Sequence, residues 1–187
     1  YLCLPGRLLG LCARWLRMFV NLALQAMERE GVMRDRPPVL FCLDEFAALG
    51  HLATIESAAG QIAGMGVKLL PCLQDLGQLK ALYKDRWETF LGNSGVLQFF
   101  GNNDLTTLEW ISKRLGKTVV EVKRSNELTS AQFRQGAAGE SRSPEGFELV
   151  TVEEASRFFG RGDHQLRQLV LIAGRRPVVL QRAYYDT

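Results

Sequence analysis

Five consecutive apolar residues, Val39–Leu43, are followed directly by the acidic pair Asp44 and Glu45. A continuous apolar run of this length, preceded by two prolines, is typical of a parallel strand that is buried on both faces. Parallel strands need helical crossovers, so this run favours an α/β sheet flanked by helices. In such sheets ligands bind at the carboxyl ends of the strands, and the residues that end each strand are therefore the first candidates for a site.

Helical and strand patterns alternate along most of the chain, which supports this fold class. Apolar residues at helical spacing over residues 8–29 predict a helix with one apolar face made of Leu8, Leu11, Trp15, Met18, Phe19, Leu22 and Ala26. Further helices are expected at residues 53–63, 76–83, 87–91, 105–115 and 151–159, and further strands at 1–5, 67–73, 96–100, 118–122, 169–173 and 178–181.

Residues 123–148 have a different character, because Ser, Gln, Gly and Arg dominate and large apolar residues are few. We expect a mobile polar loop there, within a domain that otherwise covers residues 1–187. A regular helical pattern begins again at Thr151, and Glu154 lies three residues later. This pair predicts a capping box at the start of a helix.

The composition is that of an ordinary globular domain, with 47% hydrophobic and 23% charged residues and a net charge of +3. This mild basicity permits nucleic-acid contacts without demanding them. The four cysteines form no CxxC pair, so we expect no zinc site and interpret them as buried free thiols of a reducing compartment. Arg14 and Arg17 interrupt the apolar first helix, which favours an amphipathic helix over a membrane span. Trp15, Trp87 and Trp110 are interpreted as core residues.

The acidic pair is the strongest chemical signal. An apolar strand that ends in Asp-Glu is the Walker B pattern of nucleotide hydrolases. Asp44 would hold Mg²⁺, usually through water, and Glu45 would act as the general base for the attacking water. The alternative is that two acidic residues simply enter an exposed loop, and a phospho-accepting Asp44 is a further, weaker option.

Gln74 follows the next predicted strand and is a second candidate. A glutamine there can hydrogen-bond a γ-phosphate or its attacking water. The alternative is a polar strand-end residue that satisfies loop backbone. The position one strand after Asp44 and Glu45 raises the weight of the functional interpretation.

Several longer blocks extend these single motifs. They are 43–50 (LDEFAALG), 64–69 (GMGVKL), 73–79 (LQDLGQL), 87–93 (WETFLGN) and 99–104 (FFGNND). In order and spacing they resemble the TraG-type coupling proteins of type IV secretion and conjugation over residues 39–118. Residues 169–185 also resemble the closing strands of that family.

The resemblance implies the later part of a RecA-like, mainly parallel α/β domain. It implies a hexameric ATPase, anchored in the bacterial inner membrane, that recruits relaxase-bound DNA and drives it toward a type IV secretion channel. ATP and Mg²⁺ are the implied cofactors, with Asp44 and Glu45 as the Walker B pair and Gln74 as the strand-end glutamine. The implied partners are DNA, relaxase, other secretion components and further copies of the protein. This segment itself is expected to be soluble, at the cytoplasmic face, without membrane contact.

Two departures from the family pattern bear on activity. No G-x-x-x-x-G-K-[ST] motif occurs in the 187 residues, so we expect the phosphate-binding loop upstream and no ATP hydrolysis by this segment alone. Many members also carry an arginine eleven residues before the glutamine, where this sequence has Ala63. Whether Lys68 or another basic residue replaces that arginine is left open.

Basic residues cluster in the second half of the chain. In a ring motor such residues would contact DNA phosphates from channel loops without reading sequence, and the alternative is a solvated basic face. For the whole protein, the alternatives are a non-catalytic recruitment module and a RecA-like ATPase of another DNA-translocating system. The basic residues are Lys113, Arg114, Lys117, Lys123, Arg124, Arg134 and Arg142.

Overall fold

The computed structural model of the protein describes residues 2–31, 37–58, 62–125 and 140–184. Helices and strands alternate through these ranges, as the sequence pattern predicts. The helices are α1 (Gly6–Glu30), α2 (Ala53–Ala58), α3 (Leu76–Tyr83), α4 (Trp87–Gly92), α5 (Leu105–Leu115) and α6 (Val152–Phe159). The strands are β1 (Val39–Leu43), β2 (Val67–Pro71), β3 (Val96–Phe99), β4 (Lys117–Ser125), β5 (Glu140–Glu148), β6 (Arg167–Ile172) and β7 (Val178–Gln181).

The strands form three small sheets. β1 and β2 pair in parallel, with Val39 opposite Val67 and Leu43 opposite Pro71. β3, β6 and β7 form an antiparallel sheet in that order, and β4 pairs antiparallel with β5. The expectation of a mainly parallel sheet is therefore wrong for the described residues, where β1–β2 is the parallel pair. A short turn joins β6 to β7, and a turn of that length can only return the chain antiparallel.

The core forms around the segment that follows β1. The Phe46 side chain is 1% exposed and lies parallel to the Tyr83 ring, at a centroid distance of 6.1 Å. Tyr83 in turn packs against Phe90, with their ring centroids 4.4 Å apart. The residue directly after Glu45 is thus anchored in the core. The buried apolar residues are Leu24, Phe46, Leu49, Leu52, Ile55, Val67, Leu76, Leu79, Tyr83, Phe99, Leu108, Ile111, Ala155, Phe159 and Leu169.

Helix α1 is confirmed, but its predicted face is wrong. Leu24 is buried, and Leu16, Val20 and Met27 pack against the core. The predicted face is open instead, with the Leu11 side chain 80% exposed. Apolar residues cover much of this helix, and helical spacing alone does not tell which of two overlapping stripes meets the core. The predicted face that remains open includes Leu11, Trp15, Met18, Phe19 and Leu22.

Three further expectations fail because less of the described part of the chain is buried than its pattern suggests. β1 is not covered on both faces, because Leu40 is 59% exposed. Trp15 is exposed, whereas Trp87 and Trp110 pack against the core as predicted. The cysteines are free thiols as expected but are not buried: Cys12 is half-buried, and Cys3, Cys42 and Cys72 are exposed.

Local boundaries also differ. Residues 2–5 form no strand and lead directly into α1. The helix expected over 53–63 ends at Ala58 in the structure, residues 59–61 lie outside the described ranges, and a 3₁₀ helix covers Ile62–Met65. Among the described residues, no helix combines the length and the apolar character that a bilayer crossing needs.

The polar segment 123–148 is not a loop throughout. β4 runs to Ser125 and β5 begins at Glu140, and the two strands pair over nine residues each. Lys117 lies opposite Glu148 at one end of this ribbon, and Ser125 lies opposite Glu140 at the other. The polarity was misleading because a two-stranded ribbon can leave both faces to solvent and so needs few apolar residues. The part of the prediction that concerns residues 126–139 lies outside the described residues.

Candidate functional site at the strand ends

The acidic pair lies at the carboxyl end of β1, as predicted. Asp44 is exposed and Glu45 is half-buried. The Glu45 N–H donates to Asp44 Oδ1 at 3.1 Å, which orients the aspartate within the turn. Glu45 has φ 51° and ψ 49°, in the left-handed region. This conformation is uncommon for a residue other than glycine, and such strained residues cluster at functional sites.

The turn that holds Glu45 is fixed from both neighbouring segments. The Cys72 N–H donates to the Leu43 carbonyl at 3.0 Å, and the Phe46 N–H donates to the Cys72 carbonyl at 2.9 Å. These two bonds continue the β1–β2 pairing past the end of the strands. Together with the buried Phe46 ring, they hold the strained conformation of Glu45 in place.

Gln74 meets the acidic pair at this edge of the sheet. Its Nε2 donates to Glu45 Oε1 at 3.0 Å, across 29 positions of sequence. The main chain of Gln74 is also held, because its N–H donates to Gln78 Oε1 at 3.3 Å. The structure therefore brings together all three residues that the sequence analysis selected: Asp44 and Glu45 after β1, and Gln74 after β2.

A second layer of polar residues, which sequence reasoning missed, supports the Gln74 segment. Asn102 follows β3, and its Nδ2 donates to the Gln74 carbonyl at 3.3 Å. Thr107 in α5 accepts the Leu76 N–H on its Oγ1 at 2.9 Å. The sequence offered one signal for Asn102, its place in the FFGNND block, but no pattern indicated that its side chain is buried.

The thiol of Cys72 lies beside the acidic pair. Partial desolvation of this largely exposed thiol raises the pKa of Cys72, and the neighbouring Cys42 and Asp44 raise it further. The thiol therefore stays neutral near pH 7 and adds no charge to the site. The charges at this edge come from the carboxylates.

Other residues singled out from the sequence lie elsewhere. Lys68 is exposed near the amino end of β2, and about 10 Å of strand separates it from Pro71, where β2 ends. It is therefore far from the edge that holds Gln74. Ala63 lies in the 3₁₀ helix Ile62–Met65, and its side chain is outside the described set.

The basic residues divide into two groups. Lys113 and Arg114 are exposed in the last turn of α5, and the exposed Lys117 begins β4. Cations at a helix carboxyl end are stabilised by its dipole, which gives the first two a local role independent of DNA. The side chains of Lys123, Arg124 and Arg142 are not among those described, and Arg134 lies outside the described residues.

A separate cavity of about 500 Å³ lies between α1 and the segment 51–54. Arg14, Arg17 and Met18 line one wall, and His51 lies on the other. His51 Nε2 is 2.7 Å from Glu56 Oε2, and this hydrogen bond lowers the pKa of Glu56. None of the three strand-end residues lines this cavity.

Comparison with known proteins identifies the family. A family model described as Type IV secretory system Conjugative DNA transfer matches residues 1–187. The chain belongs to this conjugative DNA transfer family. The match covers the blocks on which the TraG-type resemblance was based, and that resemblance is confirmed.

Members of the family are similar over nearly the whole chain. It is 30% identical to Protein VirD4 of Rhizobium radiobacter over 99% of its length, and 32% identical to Conjugal transfer protein TraG of the same organism over 90%. In both comparisons it spans 26% of the relative, so the chain covers about a quarter of the length of these curated relatives.

Solved structures of the plasmid coupling protein TrwB share the fold. TrwB in complex with the ATP analogue ADPNP matches with a TM-score of 0.68 at 18% identity, over 94% of this chain and 37% of TrwB. TrwB in complex with ADP and Mg²⁺ matches with a TM-score of 0.59, over 91% and 37%. The RecA-like α/β class is confirmed by this likeness.

Proposed function

We propose that this chain contributes the acidic pair, Asp44 and Glu45, and the strand-end glutamine, Gln74, to the ATP site of a coupling protein that moves DNA into a type IV secretion channel. The observation that carries the proposal is the 3.0 Å contact between Gln74 Nε2 and Glu45 Oε1 at one sheet edge. In the complete protein we expect a hexamer anchored in the inner membrane, with relaxase-bound DNA as its substrate. The names of VirD4 and TraG, and the nucleotide complexes of TrwB, support this function.

The side chains present fit a magnesium–nucleotide complex better than a protein-only metal cage. Within the described ranges, no group of three or more His, Cys, Asp or Glu side chains could enclose an ion. Mg²⁺ usually keeps several waters and binds through one or two carboxylates plus substrate phosphates. Asp44, exposed at the end of β1, would hold the ion through water. Bound there, Mg²⁺ supplies positive charge that neutralises the phosphates during transfer.

Glu45 and Gln74 have complementary roles in this site. Gln74 donates to Glu45 Oε1, which fixes the carboxylate and leaves the amide oxygen of Gln74 free to accept a hydrogen bond from a water. That water would lie between the amide and the carboxylate. Glu45 would take its proton as the water attacks, and the left-handed turn keeps the carboxylate pointed at the sheet edge.

The phosphate cradle is expected elsewhere in the complete protein, because the 187 residues contain no G-x-x-x-x-G-K-[ST] motif. A cradle of main-chain N–H groups and a lysine is what holds the β- and γ-phosphates in such ATPases. We therefore expect no measurable ATP hydrolysis by this segment on its own.

Replacement of Glu45 by Gln in the full-length protein tests the assignment. The change keeps the shape of the side chain but removes the proton acceptor, so ATP turnover should fall by about 10²- to 10⁴-fold while a non-hydrolysable ATP analogue still binds. Magnesium-dependent phosphate release and analogue binding are the two measurements. Glu88→Gln makes the same change at an exposed position of α4 and should leave both unchanged.

Two outcomes would contradict the proposal. Turnover within a factor of about two of the Glu88→Gln control would show that Glu45 is not the base. Equal loss of turnover and of analogue binding would show that Glu45 holds the nucleotide instead.

A further inference from the structure

Asn102 lies behind the candidate site, in the turn between β3 and α5, and is only 8% exposed. A polar side chain is costly to bury unless its hydrogen bonds are made. Its Nδ2 donates to the Gln74 carbonyl at 3.3 Å. The contact joins the end of β3 to the residue that follows β2, across 28 positions of sequence.

The orientation of the Asn102 amide is fixed by its partner. A carbonyl can only accept, so the group that faces Gln74 must be the NH₂. The opposite atom, Oδ1, is buried and has no hydrogen-bond partner within the described residues. An amide that leaves its oxygen unpaired is a poor choice for filling space, since an apolar residue would pack without that cost. The donor function toward Gln74 is therefore the best physical reason for an asparagine here.

The contact acts on the part of Gln74 that sets its side-chain direction. The Gln74 N–H is held by Gln78, and the next segment is held where Thr107 accepts the Leu76 N–H. Asn102 holds the carbonyl between these two points. If the carbonyl rotates, the peptide plane turns with it, and the Gln74 side chain leaves the line toward Glu45.

We propose that Asn102 is a positioning residue for ATP hydrolysis: it holds the Gln74 carbonyl so that the Gln74 amide stays directed at Glu45. The inference rests on the ATP site proposed above. Asn102 touches Gln74, not the reacting atoms, so its loss should lower the rate of the chemical step more than the affinity for nucleotide.

Asn102→Asp in the full-length protein is the sharpest test. The side chain keeps its size, but an acceptor now faces the Gln74 carbonyl and repels it. We expect kcat for ATP hydrolysis to fall by about 10- to 100-fold, with KM for ATP changed less than about twofold. Asn103→Asp is the matched control, because it makes the same chemical change at the exposed neighbouring residue and should leave kcat unchanged.

A double-variant comparison separates positioning from a general structural role. In a Gln74→Ala background there is no amide to direct, so adding Asn102→Asp should change kcat by less than about twofold. A further loss as large as in the wild-type background would overturn the proposal. If Asn102→Asp does not fold, Asn102→Ala removes the donor without adding an acceptor; a folded Asn102→Ala protein with wild-type kcat would equally overturn it.

Glu45→Gln, measured in the same assay, distinguishes this inference from the function on which it rests. If Glu45→Gln keeps full turnover, the ATP site itself is misassigned. If Glu45→Gln stops turnover but Asn102→Asp matches the Asn103→Asp control, the site stands and the positioning role fails.

Discussion

The replacement of Thr107 by Val tests whether the segment after Gln74 is held in the way the structure indicates. Thr107 is 1% exposed in the first turn of α5, and its Oγ1 accepts the Leu76 N–H at 2.9 Å. Leu76 is the first residue of α3, and its own side chain is buried. Valine has nearly the same shape as threonine but cannot accept this hydrogen bond.

The magnitude follows from what is lost and gained. An unpaired N–H in a buried position costs about 1–3 kcal/mol. The added methyl group, which replaces a hydroxyl, returns up to about 0.8 kcal/mol. The free energy of unfolding should therefore fall by about 0.2–3 kcal/mol. A loss of about 1–2 kcal/mol, in the middle of this range, lowers Tm by roughly 2–8 °C for a domain of this size.

Thermal unfolding, monitored by circular dichroism, measures the change in Tm. Hydrogen exchange at the Leu76 amide shows whether the loss of stability arises at this hydrogen bond. Thr106→Val is the matched control, since it makes the same change one residue earlier, at a half-buried side chain in the same helical turn. The reasoning is refuted if the two variants have Tm values within about 1 °C of each other, or if the Leu76 amide keeps its protection in Thr107→Val.

Two further predictions concern stability in the second half of the chain. The hydrogen bond from Arg167 lowers the pKa of Asp163, so the stabilisation is present above the unfolded pKa and is lost as the pH falls through the folded one. Acid unfolding below about pH 4 should therefore be less steep for Asp163→Asn than for the unchanged protein, and identical profiles would contradict this. Thr151→Ala should cost about 0.5–2 kcal/mol in urea unfolding, because it removes the capping box with Glu154, whereas Thr151→Ser should restore most of the loss.

The parts of the fold that local chemistry decides could be predicted from the sequence. Thr151 caps α6 as expected, and Asp104 caps α5 in the same way, because a side-chain oxygen before a helix satisfies its first N–H groups. The meeting of Glu45 with Gln74 could also be predicted, since parallel strands that adjoin bring their carboxyl ends to one edge. Two short patterns, an apolar run with an acidic end and a strand with a glutamine end, were sufficient for that step.

What the sequence could not decide depends on contacts between distant segments. Helical spacing in α1 showed apolar stripes but not that Leu24, rather than Trp15, meets the core. Polarity suggested a loop where β4 and β5 pair, because a ribbon open to solvent leaves no apolar alternation to detect. Asn102 was missed because polar residues in turns are usually exposed, and its burial follows only once β3 lies near the Gln74 segment.

The open faces of the parallel strands raise the question of what holds the site together. The pattern of β1 is that of a strand covered on both sides, yet Val39 and Leu40 are exposed on β1, as is Leu70 on β2. The described residues therefore do not cover these strands as the pattern predicts. The chain spans about a quarter of the length of its curated relatives. Even so, Glu45 Oε1 and Gln74 Nε2 lie 3.0 Å apart, because the contacts that place these side chains lie at the strand ends. These contacts are the buried Phe46 ring, the hydrogen bond from the Phe46 N–H to the Cys72 carbonyl, and the hydrogen bond from Asn102 to Gln74. The geometry of the site therefore depends on these short-range anchors rather than on coverage of the sheet, which is why single changes at Asn102 and Thr107 are expected to have measurable effects.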